Sequence, residues 1–161
     1  MRSPMVANIT AITAILHTCN DGLRIARAVE SLRSCEEVMV IDHGSGDDTC
    51  AIARKFGARV IAATTYRPDE STWTRDAAND WIFRMSPAET VSEPLEAALL
   101  EWKLAERPEQ AVVVAIMEET RSGWVPRSAE TRLTHRNRGG PGADTEDLHT
   151  LDGSLLRLMS P

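Results

Sequence analysis

EEVMVIDHGSGDDTCAIARKFGARVI, residues 36–61, decides how the chain folds. Val38 to Ile41 is a continuous apolar run, too short for a buried helix and suited to a strand covered on both faces. Asp42 stops it. Gly44 and Gly46 keep the following turn low, and Asp47 or Asp48 can cap what comes next. Ala51, Ile52 and Phe56 then face one way at helical spacing. Gly57 stands where a left-handed helix stop is expected. Ala58 to Ala62 is apolar again, so the stretch reads as strand, helix, strand.

Working outward, residues 9–16 form a β-branched first strand, and Asn20-Asp21-Gly22 breaks it and offers a helix cap. Leu23, Ala26, Val29 and Leu32 mark a helix over 23–33. Residues 9–62 are thus β-α-β-α-β, the signature of an α/β domain with a mostly parallel sheet and helices on both faces. Beyond it, residues 67–79 are polar and irregular and hold Trp73. Asp80 to Met85 is a fourth strand, stopped by Ser86-Pro87. Ser92 caps a helix whose Leu95, Ala98, Leu99, Trp102 and Ala105 share a face, and Pro108 ends it. Residues 111–117 form a fifth strand and Thr131 to His135 a short sixth. Residues 137–147, with three glycines and a proline, read as a mobile loop. Leu148 to Met159 rejoins the body as a short strand or helix. The 161 residues suit one domain.

Charge and cysteine usage narrow the function. The formal net charge of −6 argues against nucleic-acid binding, which needs a basic footprint. Cys19, Cys35 and Cys50 are odd in number, widely spaced and form no CxxC, which predicts a reduced, cytoplasmic protein. No apolar stretch is long enough to span a bilayer. His17-x-Cys19 lacks the further ligands of a zinc site.

In an open parallel sheet, ligands bind beyond the carboxyl ends of the strands. Those ends carry His17-Thr18-Cys19-Asn20, Asp42-His43-Gly44-Ser45 and Thr64-Thr65. A carboxylate ending a buried strand needs a partner. Either a nucleotide's N–H and O–H groups satisfy Asp42, or Asp42 closes its own Asx turn.

TAILHTCND at 13–21 followed by VMVIDHGSGDDTCAIARKFGARVI resembles the opening of the family-2 glycosyltransferases, nucleotide-sugar enzymes of GT-A fold. The resemblance implies a nucleotide held by Thr18, Asn20, Asp21, Asp42, Gly44 and Ser45. His43 replaces the family's second aspartate. TRDAANDWIFRMSPAETVS at 74–92 resembles the segment that carries the family's Asp-x-Asp metal motif, most closely in the branch acting on lipopolysaccharide cores and other cell-envelope glycans. Arg75, Trp81, Ile82 and Glu89 keep their places, and Arg75 would join the nucleotide site. Ser86 and Ala88 stand where the two aspartates belong, so the Mn2+ or Mg2+ that the resemblance implies has weak support and no metal ligand is assigned. Arg84 or Arg75 could supply positive charge instead. SGWVPRSAETRLTHRNR at 122–138 and LHTLDGSLL at 148–156 resemble the family's later segments.

The resemblance implies transfer of a sugar, with inversion, from a UDP-type donor to a glycan or lipid-linked acceptor. It also implies peripheral contact with the inner face of a membrane. Residues 9–62 would form the nucleotide half and 80–161 the acceptor half. An inverting transfer needs a general base, for which Glu89, Glu118, Glu119 and His149 are the candidates. The alternative is a catalytically degenerate relative that binds nucleotide or regulates. Trp102 belongs to a core stripe, whereas Trp73 and Trp124 are candidate sugar platforms. The basic residues of 132–138 suit either a solvated edge or diphosphate contact.

Overall fold

A computed structural model describes residues 9–63, 70–105, 110–137 and 148–159. Thr64-Thr65 and nearly all of the loop expected at 137–147 lie outside the described residues.

The first half follows the sequence pattern. Strand β1 (Ile12–Thr18), helix α1 (Ile25–Glu30), β2 (Glu37–Asp42), α2 (Thr49–Lys55) and β3 (Arg59–Ala62) appear in the expected order. Strands β1 and β2 pair in parallel from Thr13 with Glu37 to Thr18 with Asp42. β3 joins the far side of β2, also parallel. Helix α1 starts later than the pattern at 23–33 suggested, because the backbone N–H groups of Arg24 and Ile25 both donate to the Asp21 carbonyl and form a turn first. Gly57, at φ 93°, ends α2 in the left-handed region.

The second half departs from expectation. Residues expected to be irregular form α3 (Glu70–Asp76). β4 (Trp81–Arg84) runs parallel to β1. A short β5 (Glu89–Val91), which no periodicity announced, precedes α4 (Glu93–Lys103). Ser92 caps α4 as expected, its Oγ accepting from Leu95 N at 3.4 Å. β6 (Val112–Thr120) and β7 (Gly123–His135) form a long hairpin, so the short sixth strand is the last third of a 13-residue one. β8 (His149–Arg157) completes the set.

All eight strands form one sheet in the order β3-β2-β1-β4-β7-β6-β8-β5. It is parallel from β3 to β4 and mixed beyond, because β7 runs against both β4 and β6. Alternation along the strands splits the core. Ile12, Ala14, Leu16, Val40 and Phe83 pack with Ile25 and Val29 of α1, Ala53 of α2 and Leu95, Leu99 and Trp102 of α4. Ile15, Met39, Ile41 and Ile82 pack with Trp73 and Ala77 on the α3 side. Trp73 is therefore core, which removes it as a sugar platform. Trp102 is core as expected.

Gly153 lets β8 pass beneath α4. Its φ is 84°, and an added Cβ would lie 2.2 Å from Leu95 N. Ser92 Oγ, which caps α4, also accepts from Ser154 N at 3.1 Å, tying β8 to that helix end.

Candidate functional site

The two loops that end β1 and β2 are locked together. Asn20 N donates to Ser45 Oγ at 2.9 Å, and Gly46 N donates to Asn20 Oδ1 at 2.8 Å. Gly22 N donates to Asp47 Oδ2 at 3.1 Å. Asn20 takes φ 54°, a conformation asparagine tolerates better than most residues. Asp47, not Asp48, caps α2, its Oδ1 accepting from Thr49 N at 3.0 Å.

Thr18 and Asp21 are buried and serve each other: Thr18 Oγ1 donates to Asp21 Oδ2 at 2.7 Å, and Cys19 N donates to the same oxygen at 3.1 Å. Arg24 pairs with Asp21 as well. Burial pushes the Asp21 carboxyl up, and these donors more than offset it, holding it below the ordinary range. Thr18 and Asp21 thus shape the loop from inside, while Asn20, Gly44 and Ser45 form its accessible rim.

Asp42 closes its own turn. Ser45 N donates to Oδ2 at 3.1 Å and Ser45 Oγ to Oδ1. Burial raises the carboxyl, but hydrogen bonds from Ser45, the Cys50 thiol and Gly44 N outweigh it, so Asp42 stays ionised below the usual range. Gly44, at φ 84°, permits the turn and has open space where a Cβ would stand.

Beside this turn lie two imidazoles that the sequence reading did not connect. His17 Nδ1 and His43 Nε2 are 2.9 Å apart, and the ring centroids 5.2 Å. The centroid separation is the contact plus one ring radius at each end. The rings therefore meet edge to edge in a line, one nitrogen donating and the other accepting, and do not converge on a shared ion. Parallel pairing of β1 and β2 could have revealed them, since His17 and His43 are the residues flanking the Thr18–Asp42 rung.

The expected metal position does not suit a cation. Ser86 Oγ accepts from Ala88 N at 3.2 Å, and Ala88 offers no side-chain donor. Both oxygens of Glu89 are occupied. Arg132 Nη1 and Nη2 each donate at 2.8 Å, Arg157 Nη2 donates at 2.9 Å and Ser86 N at 3.0 Å. Glu89 is fully buried. Desolvation raises its carboxyl, and Arg132 foremost among its donors brings it below the ordinary range. Among the described residues no cluster of His, Cys, Asp or Glu could hold a metal ion. Glu89 is thus a corrected expectation: it braces β5, β7 and β8 and offers no free oxygen to a substrate.

Strand direction sorts the remaining candidates. β6 runs parallel to β1, so Glu118 and Glu119 stand on the same sheet edge as Thr18 and Asp42. Glu118 pairs with Arg127. Glu119 Oε2 accepts from Met159 N at 3.1 Å. His149 pairs with Val112 at the other end of β6, six residues and about 20 Å from Glu118 at the rise of a strand. It cannot share a site with them. The backbone of Arg75 also lies toward that opposite edge, since neighbouring Asp76 O accepts from Arg59 at the start of β3. Of the basic cluster, Arg132 is committed to Glu89, and Arg136 pairs with Asp80 at 3.0 Å.

No family model matches the chain. An uncharacterized glycosyltransferase of Rickettsia conorii is 36% identical over 88 residues, covering 53% of this chain and 31% of that protein. One from Rickettsia felis is 39% identical over 88 residues, again covering 31% of its length. A TPR repeat-containing protein of Synechococcus elongatus is 33% identical over 128 residues, 77% of this chain and 31% of that protein. The chain thus matches about a third of the length of these relatives. Among solved structures, TarS of Staphylococcus aureus superposes with TM-score 0.62 at 14% identity, covering 94% of this chain and 37% of that one. A mycobacterial protein superposes with TM-score 0.51 at 20% identity, covering 70% and 43%. The fold is that of the GT-A glycosyltransferases. No helix among the described residues is long and apolar enough to cross a membrane.

Proposed function

We propose that the chain binds a nucleotide-diphosphate sugar of the UDP type and transfers the sugar, with inversion, to a glycan or lipid-linked acceptor. The interlocked loops ending β1 and β2 are the observation that carries this reading. They present Asn20, Gly44 and Ser45, with the buried, ionised Asp42 in the same turn, at the sheet edge where α/β proteins bind ligands. Asp42 accepts from the base or ribose, and the buried Thr18 and Asp21 hold the loop in shape. Bond formation between the acceptor oxygen and the anomeric carbon breaks that carbon's bond to the diphosphate. The acceptor proton passes to a carboxylate, and the nucleoside diphosphate leaves. We assign the base to Glu119, because Arg127 occupies Glu118, the arginines occupy Glu89, and His149 lies at the other edge. No step is routed through Mn2+ or Mg2+. Contact with a cytoplasmic membrane face belongs to the same proposal.

A second reading, a nucleotide-binding or regulatory module without transfer, is favoured by Ser86 and Ala88 at the metal position. Thermal shifts with UDP and GDP, with Mn2+ or with EDTA, test both. UDP is expected to raise Tm in either condition. Asp42→Asn, which keeps an acceptor for Ser45, should weaken UDP binding about tenfold or more, since a hydrogen bond to a charged group is lost. No shift with either nucleotide refutes both readings. A shift without any sugar transfer or release selects the second.

A further inference from the structure

Four tryptophans occur in the chain. Trp73, Trp81 and Trp102 are buried, whereas Trp124 is 45% exposed. Its backbone is nonetheless tightly held. Thr120 pairs with Gly123 across the two-residue turn Arg121-Ser122. Thr120 Oγ1 donates to Gly123 O at 2.7 Å and accepts from Ser122 N at 3.2 Å. Gly123, at φ 119°, allows the reversal.

The next rung of this hairpin pairs Glu119 with Trp124. Directly opposed residues of an antiparallel pair stand on one face with Cβ atoms about 5 Å apart. Met117 and Pro126, paired two rungs back, continue that face with apolar surface. Met159 N fixes the Glu119 carboxylate through Oε2, and Oε1 accepts nothing among the described residues. Met159, whose N–H holds Glu119, adds exposed apolar surface near this rung. Contiguous exposed apolar surface rimmed by polar groups is the kind of surface that marks interaction sites.

An indole on a firmly held backbone, opposite an anchored carboxylate, matches the two-sided chemistry of a pyranose. One face of such a ring presents C–H groups that lie on an aromatic surface, and its rim presents hydroxyls that donate to a carboxylate. The negative charge of Glu119 disfavours an anionic sugar. The location fits too: the hairpin end stands on the sheet edge of Asp42, four strand spacings away, about 19 Å.

We propose that Trp124 and Glu119 form an acceptor subsite for one uncharged pyranose ring, the indole carrying its apolar face and Glu119 its hydroxyls. This assignment rests on the transferase reading above and adds the class of acceptor.

The test follows the four indole N–H signals of 15N-labelled protein during titration with methyl glucopyranoside, methyl galactopyranoside, methyl N-acetylglucosaminide and, as the anionic control, methyl glucuronide. Trp124→Phe identifies the Trp124 signal by its loss. At least one of the three uncharged glycosides is expected to move that signal and leave those of Trp81 and Trp102 in place, with the glucuronide weaker. Glu119→Gln should weaken the response about tenfold. The proposal is overturned if no uncharged glycoside moves the signal. It is also overturned if sedimentation shows self-association that Trp124→Ala abolishes, which would make the patch a contact between copies. UDP thermal shifts on the same samples separate the two ideas. Loss of the UDP response with the glycoside response intact removes the donor reading and leaves a carbohydrate subsite.

Discussion

Asp42 ends a buried strand and is stabilised by its own turn before any ligand arrives. The structure shows the internal reading of that residue: Ser45 and Cys50 satisfy its carboxylate, which stays charged at the carboxyl edge of the sheet. The sequence made the position of Asp42 legible, because an apolar run followed by a carboxylate and two glycines has few other uses. It did not make legible which of its partners are internal. That depends on where Asn20 and Ser45 meet across 25 residues. Nor could it show that Glu89 is enclosed, since its arginines lie 43 and 68 residues away. The cysteines give a residue-level prediction. Cys19 is exposed, whereas burial, reinforced by Glu36, pushes the Cys35 thiol up to about 12. The thiolate is the reactive form. Iodoacetamide at pH 8 should modify Cys19 first and leave Cys35 unmodified until the protein unfolds, as peptide mass mapping will record. Equal labelling of the two in the native protein contradicts the packing described.

Elements made of regular repeats were readable, and short or twisted ones were not. α4 has a capping serine and an apolar stripe, and β2 has four consecutive apolar residues. By contrast, β5 has three residues, and only its pairing with β8 makes it a strand. β7 hides its length because its first eight residues are all exposed, follow no apolar–polar alternation and include a glycine and a proline. Helix α3 is polar except for Trp73, which it buries together with Ala77 just after its end. The Glu89 ion pairs are the joint of this half, linking β5 to β7 and β8. Removing one partner of a buried pair leaves the other's charge uncompensated. Glu89→Gln is expected to cost about 3 kcal/mol in urea unfolding at pH 7. Arg33→Ala, which removes an exposed pair with Glu96, should cost under about 0.5 kcal/mol. If the two variants prove equally stable, Glu89 is not bracing the sheet.

At the scale of the molecule, the parallel half was foreseeable, whereas the strand order of the second half was not, because antiparallel and parallel neighbours there come from distant segments. The charged groups share one trend. Asp21, Glu37, Asp42, Asp47 and Glu89 all sit below their ordinary values of 3.8 for Asp and 4.5 for Glu. A carboxyl depressed by folding contributes its full stability above the unfolded value and loses it as pH falls through the folded one. Stability is therefore expected to be level from neutral pH to about 5 and to drop below about pH 4. Urea midpoints across that range check it, and a midpoint that rises on acidification would refute it. The position of β8 between β6 and β5 has a consequence for synthesis. Glu89 is made 68 residues before its partner Arg157. At ribosomal rates of about 5–20 residues per second, β5 waits several seconds with neither a strand to pair with nor both cations to neutralise its carboxylate. During that interval the loops ending β1 and β2 can already have formed, while the later strands are a set of unpaired edges, and that is the state a chaperone would meet.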